Sequence, residues 1–143
     1  KTREREMIKA CALLGIPEGH VTIVDDPKLQ DGPKEIWTSN SVAPHLLPLI
    51  SAKDIGAVVT FDGYGVSGHT NHVATYRAVC QLREGGRLSK SVRVHVLQSS
   101  PLLLKFIGPV ASLLPPSPRH AQASSLLDPL LVFRCLQAHY SQA

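Results

Sequence analysis

The feature that most constrains the fold is an apolar, mostly β-branched run at positions 55–61, followed at once by a glycine-rich loop. The run lacks the polar alternation of a half-exposed strand, so it predicts a strand covered on both faces at the centre of a parallel sheet. The loop, residues 62–68, contains three glycines, and a helical pattern follows over residues 70–82. This order places the loop at the carboxyl edge of the sheet, where open α/β sheets bind ligands.

Further patterns extend this unit in both directions. Residues 3–14 have the apolar spacing of an amphipathic helix, residues 21–24 read as a short strand, and residues 92–97 alternate like a strand near the sheet edge. Residues 38–50 also have a helical pattern, but they contain Pro44 and Pro48. An interior proline costs about 3 kcal/mol, so we expect this helix to be short, kinked or broken. The chain is predicted to be α/β, with a mostly parallel sheet flanked by helices.

Composition excludes several classes of function. The 143 residues are enough for one domain, and the formal charge of +4 is scattered without the dense basic runs of a nucleic-acid-binding arm. We therefore expect no nucleic-acid partner. The longest apolar stretch falls short of the roughly 18 residues that a membrane span needs. Three isolated cysteines predict free thiols, and the motifs of serine hydrolases, P-loop proteins and dinucleotide-binding proteins are absent from the sequence.

The two ends of the chain differ from its middle. It begins with Lys1 rather than Met and enters a helical pattern at once, so we expect a fragment. After Pro109 the character changes, and the prolines of residues 115–118 are incompatible with a helix interior or a central strand. The sequence predicts a partial α/β domain over residues 1–109 and a divergent, weakly structured tail containing Pro and Ser over residues 110–143.

His69 and His72 are the strongest candidates for chemistry. They are three residues apart at a predicted helix start, so their imidazoles share one face and could reach a common point, as a zinc site or a substrate site requires. Seven histidines in the chain make this spacing a common coincidence, and two histidines do not complete the usual set of three ligands. Their position after a buried strand and a glycine loop favours a functional role.

Other polar residues near these elements have two interpretations each. Asp62 ends the apolar strand and could orient a ligating histidine through its second ring nitrogen, or could cap the turn. Arg3 and Glu6 are three apart on the first helix, and the simpler interpretation is a solvent-exposed ion pair.

These residues together resemble the LmbE-like zinc deacetylases, over about residues 2–107. Within that family they are most similar to the eukaryotic branch that removes the N-acetyl group of GlcNAc-phosphatidylinositol in GPI-anchor biosynthesis. The matching motifs are Thr2-Arg3-Glu4-Arg5-Glu6, Leu13-Leu14-Gly15-Ile16-Pro17, Val58-Val59-Thr60-Phe61-Asp62 and Gly65-Val66-Ser67-Gly68-His69-Thr70-Asn71-His72.

The resemblance implies a Rossmann-like layer and a metal-dependent amide hydrolase. In such an enzyme His72 would be a zinc ligand and His69 would stabilise the oxyanion or act as a general acid. Asp62 would support the site and Arg3 would contact the sugar. Zinc would polarise the N-acetyl carbonyl and its bound water would attack, releasing acetate and a free amine.

The resemblance also implies what this chain lacks. The family's first strand and its His-Pro-Asp-Asp-Glu motif, with the other Zn²⁺ ligands and the general base, are expected upstream of residue 1. An N-terminal membrane anchor is expected there too. The implied substrate is a glycolipid, GlcNAc-phosphatidylinositol, and the implied location is the cytoplasmic face of the endoplasmic reticulum membrane. The fragment by itself is expected to be inactive.

Two alternatives remain open at this point. A family member could instead deacetylate a soluble sugar or a small amide, in which case no membrane anchor would be needed. A non-catalytic variant could keep the fold and have lost the site, in which case the parent protein would lack the acidic motif.

Overall fold

The structure, a computed structural model, describes residues 2–32, 35–99 and 128–142 of the chain. Its contacts divide the chain into two compact units. Of the described residues, 2–23 and 128–142 form the terminal unit, and 24–32 with 35–99 form the central unit. The regular elements in chain order are α1 (Thr2–Leu13), α2 (Ser39–Ala52), β1 (Ala57–Phe61), the single turn α3 (Gly65–Gly68), α4 (Thr70–Glu84), β2 (Arg93–Leu97) and α5 (Asp128–Ala138).

The central unit is a two-stranded parallel sheet with helices packed against it. β1 pairs with β2 in parallel, from Ala57 opposite Arg93 to Phe61 opposite Leu97. Because α4 connects the two strands, this is the predicted β-α-β arrangement, and the α/β class is confirmed. Helix α4 begins at Thr70, where the sequence places its start, and the carboxyl ends of both strands meet at one edge of the sheet.

The core of the central unit lies between α2, α4 and one face of the sheet. Val58 and Val94 pack against it from the strands. Leu82 is 1% exposed, and burial of a leucine side chain stabilises a fold by about 1.5–3 kcal/mol. The buried cluster consists of Val42, Ala43, Ala78, Val79, Leu82, Leu88 and Val92.

The other face of β1 differs from the prediction. Thr60 is 6% exposed on the core side, whereas Val59 on the opposite side is 64% exposed. The prediction that this strand is covered on both faces is therefore wrong for the part of the chain that the structure describes. The physical reason is that α4 packs on the face that presents Val58 and Thr60, where Val58 contacts the core cluster to which α2 also contributes.

Helix α2 is continuous over 14 residues, although a short, kinked or broken helix was expected. Its first turn has a reciprocal capping box, in which the side chains of Thr38 and Ser41 bond to each other's backbone. Pro44 and Pro48 both lie on its exposed side, so the carbonyl groups that lose a donor are near water. The opposite side buries Val42 and Ala43, which offsets the cost of the prolines.

In the terminal unit, α1 packs against α5. Glu6 is 3% exposed, and its carboxylate accepts hydrogen bonds from the backbone N and the Oγ of Ser141, at 3.0 and 2.7 Å. The carboxylate of Glu6 is thus a buried hydrogen-bond acceptor rather than a solvent-exposed group. Residues 128–138 of the predicted tail are helical, residues 110–127 lie outside the described residues, and the predicted boundary at 109 stays a prediction.

Two further sequence expectations concern local structure and membranes. Residues 21–24 have no regular structure, so the short strand predicted there is wrong. A β-branched run becomes a strand only where a neighbouring strand can pair with it. Over the ranges 2–32, 35–99 and 128–142, no helix has the length and apolar character needed to cross a bilayer.

Candidate functional site

The loop between β1 and α4 has a strained backbone. Gly65 and Gly68 have φ angles of 66° and 79°, which glycine adopts without steric cost. Val66, between them, has φ 70° and ψ −51°, close to the rare γ-turn conformation. A β-branched residue there is a true outlier, and such strain persists only where surrounding contacts enforce it. The loop is therefore held by its neighbours against its own preference.

Gly65 also allows the loop to lie directly against α4. A Cβ atom at this position would be 2.9 Å from the Cγ2 of Val73 and 3.1 Å from the Cβ of His72. Real Cβ atoms essentially never approach another heavy atom to less than 3.0 Å, as the contact with Val73 would require. The residue must therefore be glycine for two reasons, its positive φ and its contact with the turn that carries His72.

Asp62 holds this loop through both carboxylate oxygens. Oδ1 accepts hydrogen bonds from the backbone of Tyr64 and Gly65, at 3.1 and 2.9 Å, and from the Oγ of Ser99 at 2.7 Å. Oδ2 accepts from the backbone N of Ser99 at 2.6 Å. The Ser99 backbone donor, then the Ser99 hydroxyl and the loop amides, lower the pKa of Asp62 to about 2. Asp62 is therefore an ionised carboxylate at neutral pH.

Of the two interpretations of Asp62, these bonds match the turn-capping one. The expectation that its carboxylate directly orients a ligating histidine is wrong in this arrangement, because the donors bonded to it are loop amides and Ser99. Its contribution to catalysis stays a prediction.

His72 is held by two contacts on the first turn of α4. Its ring stacks on Phe61, with centroids 3.9 Å apart and planes at 10°, and its Nδ1 lies 3.2 Å from the carbonyl oxygen of Gly65. A carbonyl oxygen only accepts hydrogen bonds, so this contact assigns the proton of the neutral ring to Nδ1. The lone pair is then on Nε2, the arrangement that a metal-binding histidine uses.

His69 has the opposite arrangement. It is the N-cap residue of α4, and its Nδ1 accepts a hydrogen bond from the backbone N of Asn71 at 3.3 Å. Its Nδ1 therefore carries the lone pair, and the proton of the neutral ring is on Nε2. His69 is exposed, so this N–H group is available as a donor to a bound molecule.

The two imidazoles do not converge on one metal ion. Their centroids are 4.8 Å apart with planes at 27°, so they are stacked. A metal ion binds in the plane of an imidazole, about 2 Å from the nitrogen, and the lone pairs of stacked rings run nearly side by side. The expected common point is therefore wrong for a shared zinc ion.

His72 fits the role of one zinc ligand, but the described residues do not form a complete zinc site. Within residues 2–32, 35–99 and 128–142, no group of three or more His, Cys, Asp and Glu side chains could hold a metal ion. The division of roles between His72 and His69 that the resemblance implies is compatible with the two ring orientations, and it stays a prediction.

Arg3 lies on α1 in the terminal unit, where its side chain is exposed. His69, His72 and Asp62 lie in the central unit. The contact of Arg3 with the sugar stays a prediction.

Sequence reasoning missed Ser99. It is 37 positions from Asp62 in the chain, and a single serine after a strand has no distinctive pattern. The parallel pairing of β1 and β2 brings it to the loop, so only the tertiary structure could identify it.

Comparison with known proteins assigns the family. A family model described as PIG-L, GlcNAc-PI de-N-acetylase, matches residues 1–82. The chain belongs to this family. The matched segment includes Arg3, Asp62, His69 and His72, whereas Ser99 lies outside it. The family expected from the sequence is confirmed.

Curated relatives have the same description. The N-acetylglucosaminyl-phosphatidylinositol de-N-acetylase of Bos taurus is 42% identical over 105 residues, which are 73% of this chain and 42% of the relative. The probable enzyme of that name from Schizosaccharomyces pombe is 35% identical over 106 residues, 74% of this chain and 42% of the relative. The chain thus spans less than half the length of these two relatives. No solved structure matches it.

Proposed function

We propose that this chain is part of an enzyme that hydrolyses the N-acetyl group of GlcNAc-phosphatidylinositol, giving GlcN-phosphatidylinositol and acetate in GPI-anchor biosynthesis. The observation that carries the proposal is a pair of imidazoles with opposite tautomers, which follow a glycine loop at the carboxyl edge of the sheet. One ring offers a lone pair at Nε2 of His72, and the other offers an N–H donor at Nε2 of His69. Family membership supports it, as do the names of the relatives.

In this proposal His72 would hold zinc through Nε2, while its Nδ1–H donates to the carbonyl oxygen of Gly65. When bound, zinc supplies a Lewis acid for the amide carbonyl and lowers the pKa of a coordinated water. Stacking on Phe61 fixes the ring plane of His72 and hence the direction of its lone pair. The remaining ligands and a carboxylate general base would have to be supplied by residues that this chain does not include.

His69 acts on the substrate in this proposal. Its Nε2–H donates a hydrogen bond to the oxygen that becomes negatively charged as water attacks the N-acetyl carbon. The departing amine nitrogen must be protonated for the C–N bond to break, and His69 could act as this general acid only from its doubly protonated form, because the neutral ring would be left as an imidazolate. Asp62 keeps its negative charge on the loop and fixes the position of both histidines indirectly.

The substrate and location are also part of the proposal. Relatives named for GlcNAc-phosphatidylinositol support a glycolipid substrate, which would be met at the cytoplasmic face of the endoplasmic reticulum membrane by a membrane-associated protein. Arg3 would contact the sugar. The 143-residue chain is inactive by itself in this proposal, because its described residues offer one zinc ligand where about three are needed.

The test measures acetate release from GlcNAc-phosphatidylinositol by the longest protein that the parent transcript encodes and by the 143-residue chain. We expect activity from the longer protein only. We expect His72→Ala to abolish it and His69→Ala to lower kcat about 10²–10⁴-fold. His95→Ala is the matched control, because His95 is exposed on β2 outside the loop.

Three outcomes would contradict the proposal. Hydrolysis of free GlcNAc but not of the glycolipid would favour a soluble-sugar deacetylase. A longer protein that releases no acetate from either substrate would favour a non-catalytic variant. A loss of activity in His95→Ala equal to that in His72→Ala would remove the assigned role of the histidine pair.

A further inference from the structure

We propose that Ser99 is a positioning residue for this site: through one peptide unit of the glycine loop, it sets which ring nitrogen of His72 carries the proton. The inference deepens the proposed function, because it explains how the nitrogen proposed to bind zinc is kept free of its proton. The role of Ser99 in setting the tautomer of His72 does not depend on the proposed function, whereas its consequence for zinc binding rests on it.

Ser99 bonds to the loop at three points. Its backbone N donates to Asp62 Oδ2 at 2.6 Å, and its Oγ donates to Asp62 Oδ1 at 2.7 Å. The same Oγ accepts a hydrogen bond from the backbone N of Val66 at 2.8 Å. Because a serine hydroxyl has one proton, its donation to the ionised carboxylate leaves Oγ as an acceptor for the Val66 amide. The direction of each bond is thus determined.

The Val66 amide is one end of a rigid unit. The N–H of Val66 and the carbonyl of Gly65 belong to the same planar peptide, in which the two groups point in opposite directions. Ser99 Oγ accepts from the N–H end, and Nδ1 of His72 lies 3.2 Å from the carbonyl oxygen at the other end. Rotation of this peptide would break both hydrogen bonds at once.

The hydrogen bond from Val66 to Ser99 stabilises a strained segment of backbone. Val66 has φ 70°, a conformation that a β-branched residue avoids unless contacts enforce it. Asp62 fixes the peptide before it through the amide of Gly65, at 2.9 Å, and Ser99 fixes the strained peptide itself. Without the Ser99 hydroxyl, this peptide loses the hydrogen bond at its N–H end that opposes a rotation of the Gly65 carbonyl away from His72.

The experiment uses the 143-residue chain and long-range ¹H–¹⁵N NMR, which distinguishes the two neutral histidine tautomers. At about pH 8.5, where an ordinary histidine is neutral, we expect His72 to have its proton on Nδ1 in the wild-type chain. In Ser99→Ala we expect the ratio of the Nδ1–H form to the Nε2–H form to fall by roughly fivefold, as the loss of one ordinary hydrogen bond would produce. His72→Gln identifies the signal.

Ser91→Ala is the matched control, since Ser91 is exposed just before β2 and its Oγ bonds to Ser89 rather than to the loop. We expect it to leave the ratio unchanged. An unchanged ratio in Ser99→Ala overturns the proposal, and so does an equal fall in both variants.

If Ser99→Ala does not fold, hydrogen exchange of the Val66 amide in the wild-type chain tests the hydrogen bond between Val66 and Ser99. The Val66 amide should exchange at least roughly tenfold more slowly than in an unstructured chain, and exchange at the unstructured rate overturns the proposal. Neither readout depends on acetate release. A longer protein without deacetylase activity would therefore contradict the proposed function and leave this inference standing.

Discussion

Substitution of Gly65 by alanine should destabilise the central unit more than the same change at a glycine with open surroundings. Gly65 and Gly86 both have φ 66°, but a Cβ at Gly86 would meet nothing within 4 Å. The cost of alanine at positive φ, about 1–2 kcal/mol, is therefore common to both variants. So is the gain of about 0.4–1 kcal/mol from a less flexible unfolded chain. Both terms cancel when the two variants are compared.

The difference between the two variants is steric. At Gly65 the new Cβ would lie 2.9 Å from the Cγ2 of Val73 and 3.2 Å from its backbone N. A valine in a helix has essentially one rotamer, and its backbone moves only if the start of α4 moves. Overpacking of this kind costs about 1–3 kcal/mol. We expect Gly65→Ala to lose that much more free energy of unfolding than Gly86→Ala.

Urea unfolding followed by tryptophan fluorescence measures this difference. Trp37 is the only tryptophan of the chain and packs against the core of the central unit, so its signal reports on the unit that carries both glycines. Gly68→Ala, with φ 79° and open surroundings, is a second control inside the loop. If Gly65→Ala unfolds within about 0.5 kcal/mol of both controls, the inferred close packing of the loop on α4 is incorrect.

Three further predictions concern the same unit. The pKa of Asp62 is lowered to about 2 in the folded chain, whereas an unfolded aspartate has a pKa of about 3.9. The contribution of Asp62 to stability is therefore present above about pH 3.9 and is lost as the pH falls towards 2. Urea midpoints measured from about pH 2 to about 6 should vary less in Asp62→Asn than in the wild-type chain. Val66→Gly should stabilise the unit by about 1 kcal/mol, because relief of the strained φ exceeds the entropy cost of glycine, and a lower urea midpoint would contradict this. Pro48→Ala should add about 1–2 kcal/mol by restoring a helical hydrogen bond on the exposed side of α2, and an unchanged free energy of unfolding would refute it.

Local patterns in the sequence determined the elements of the site. The apolar run at 55–61, the glycines after it and the apolar spacing beyond residue 70 gave β1, the loop and α4, because backbone preferences act over a few residues. The motif that contains His69 and His72 also led to the family. The same patterns were wrong for residues 21–24, where no partner strand exists in the described chain, and for α2, where solvent exposure makes Pro44 and Pro48 tolerable.

Tertiary structure alone decided which hydrogen bonds the residues of the site form. Which nitrogen of each histidine carries its proton depends on Gly65 and Asn71, and the partners of Asp62 depend on Ser99, which is 37 residues away. Parallel pairing of β1 with β2 creates these contacts, and no spacing along the chain encodes which residues two strand ends will bring together. Sequence could therefore name the histidines, whereas their orientation followed from packing between distant segments.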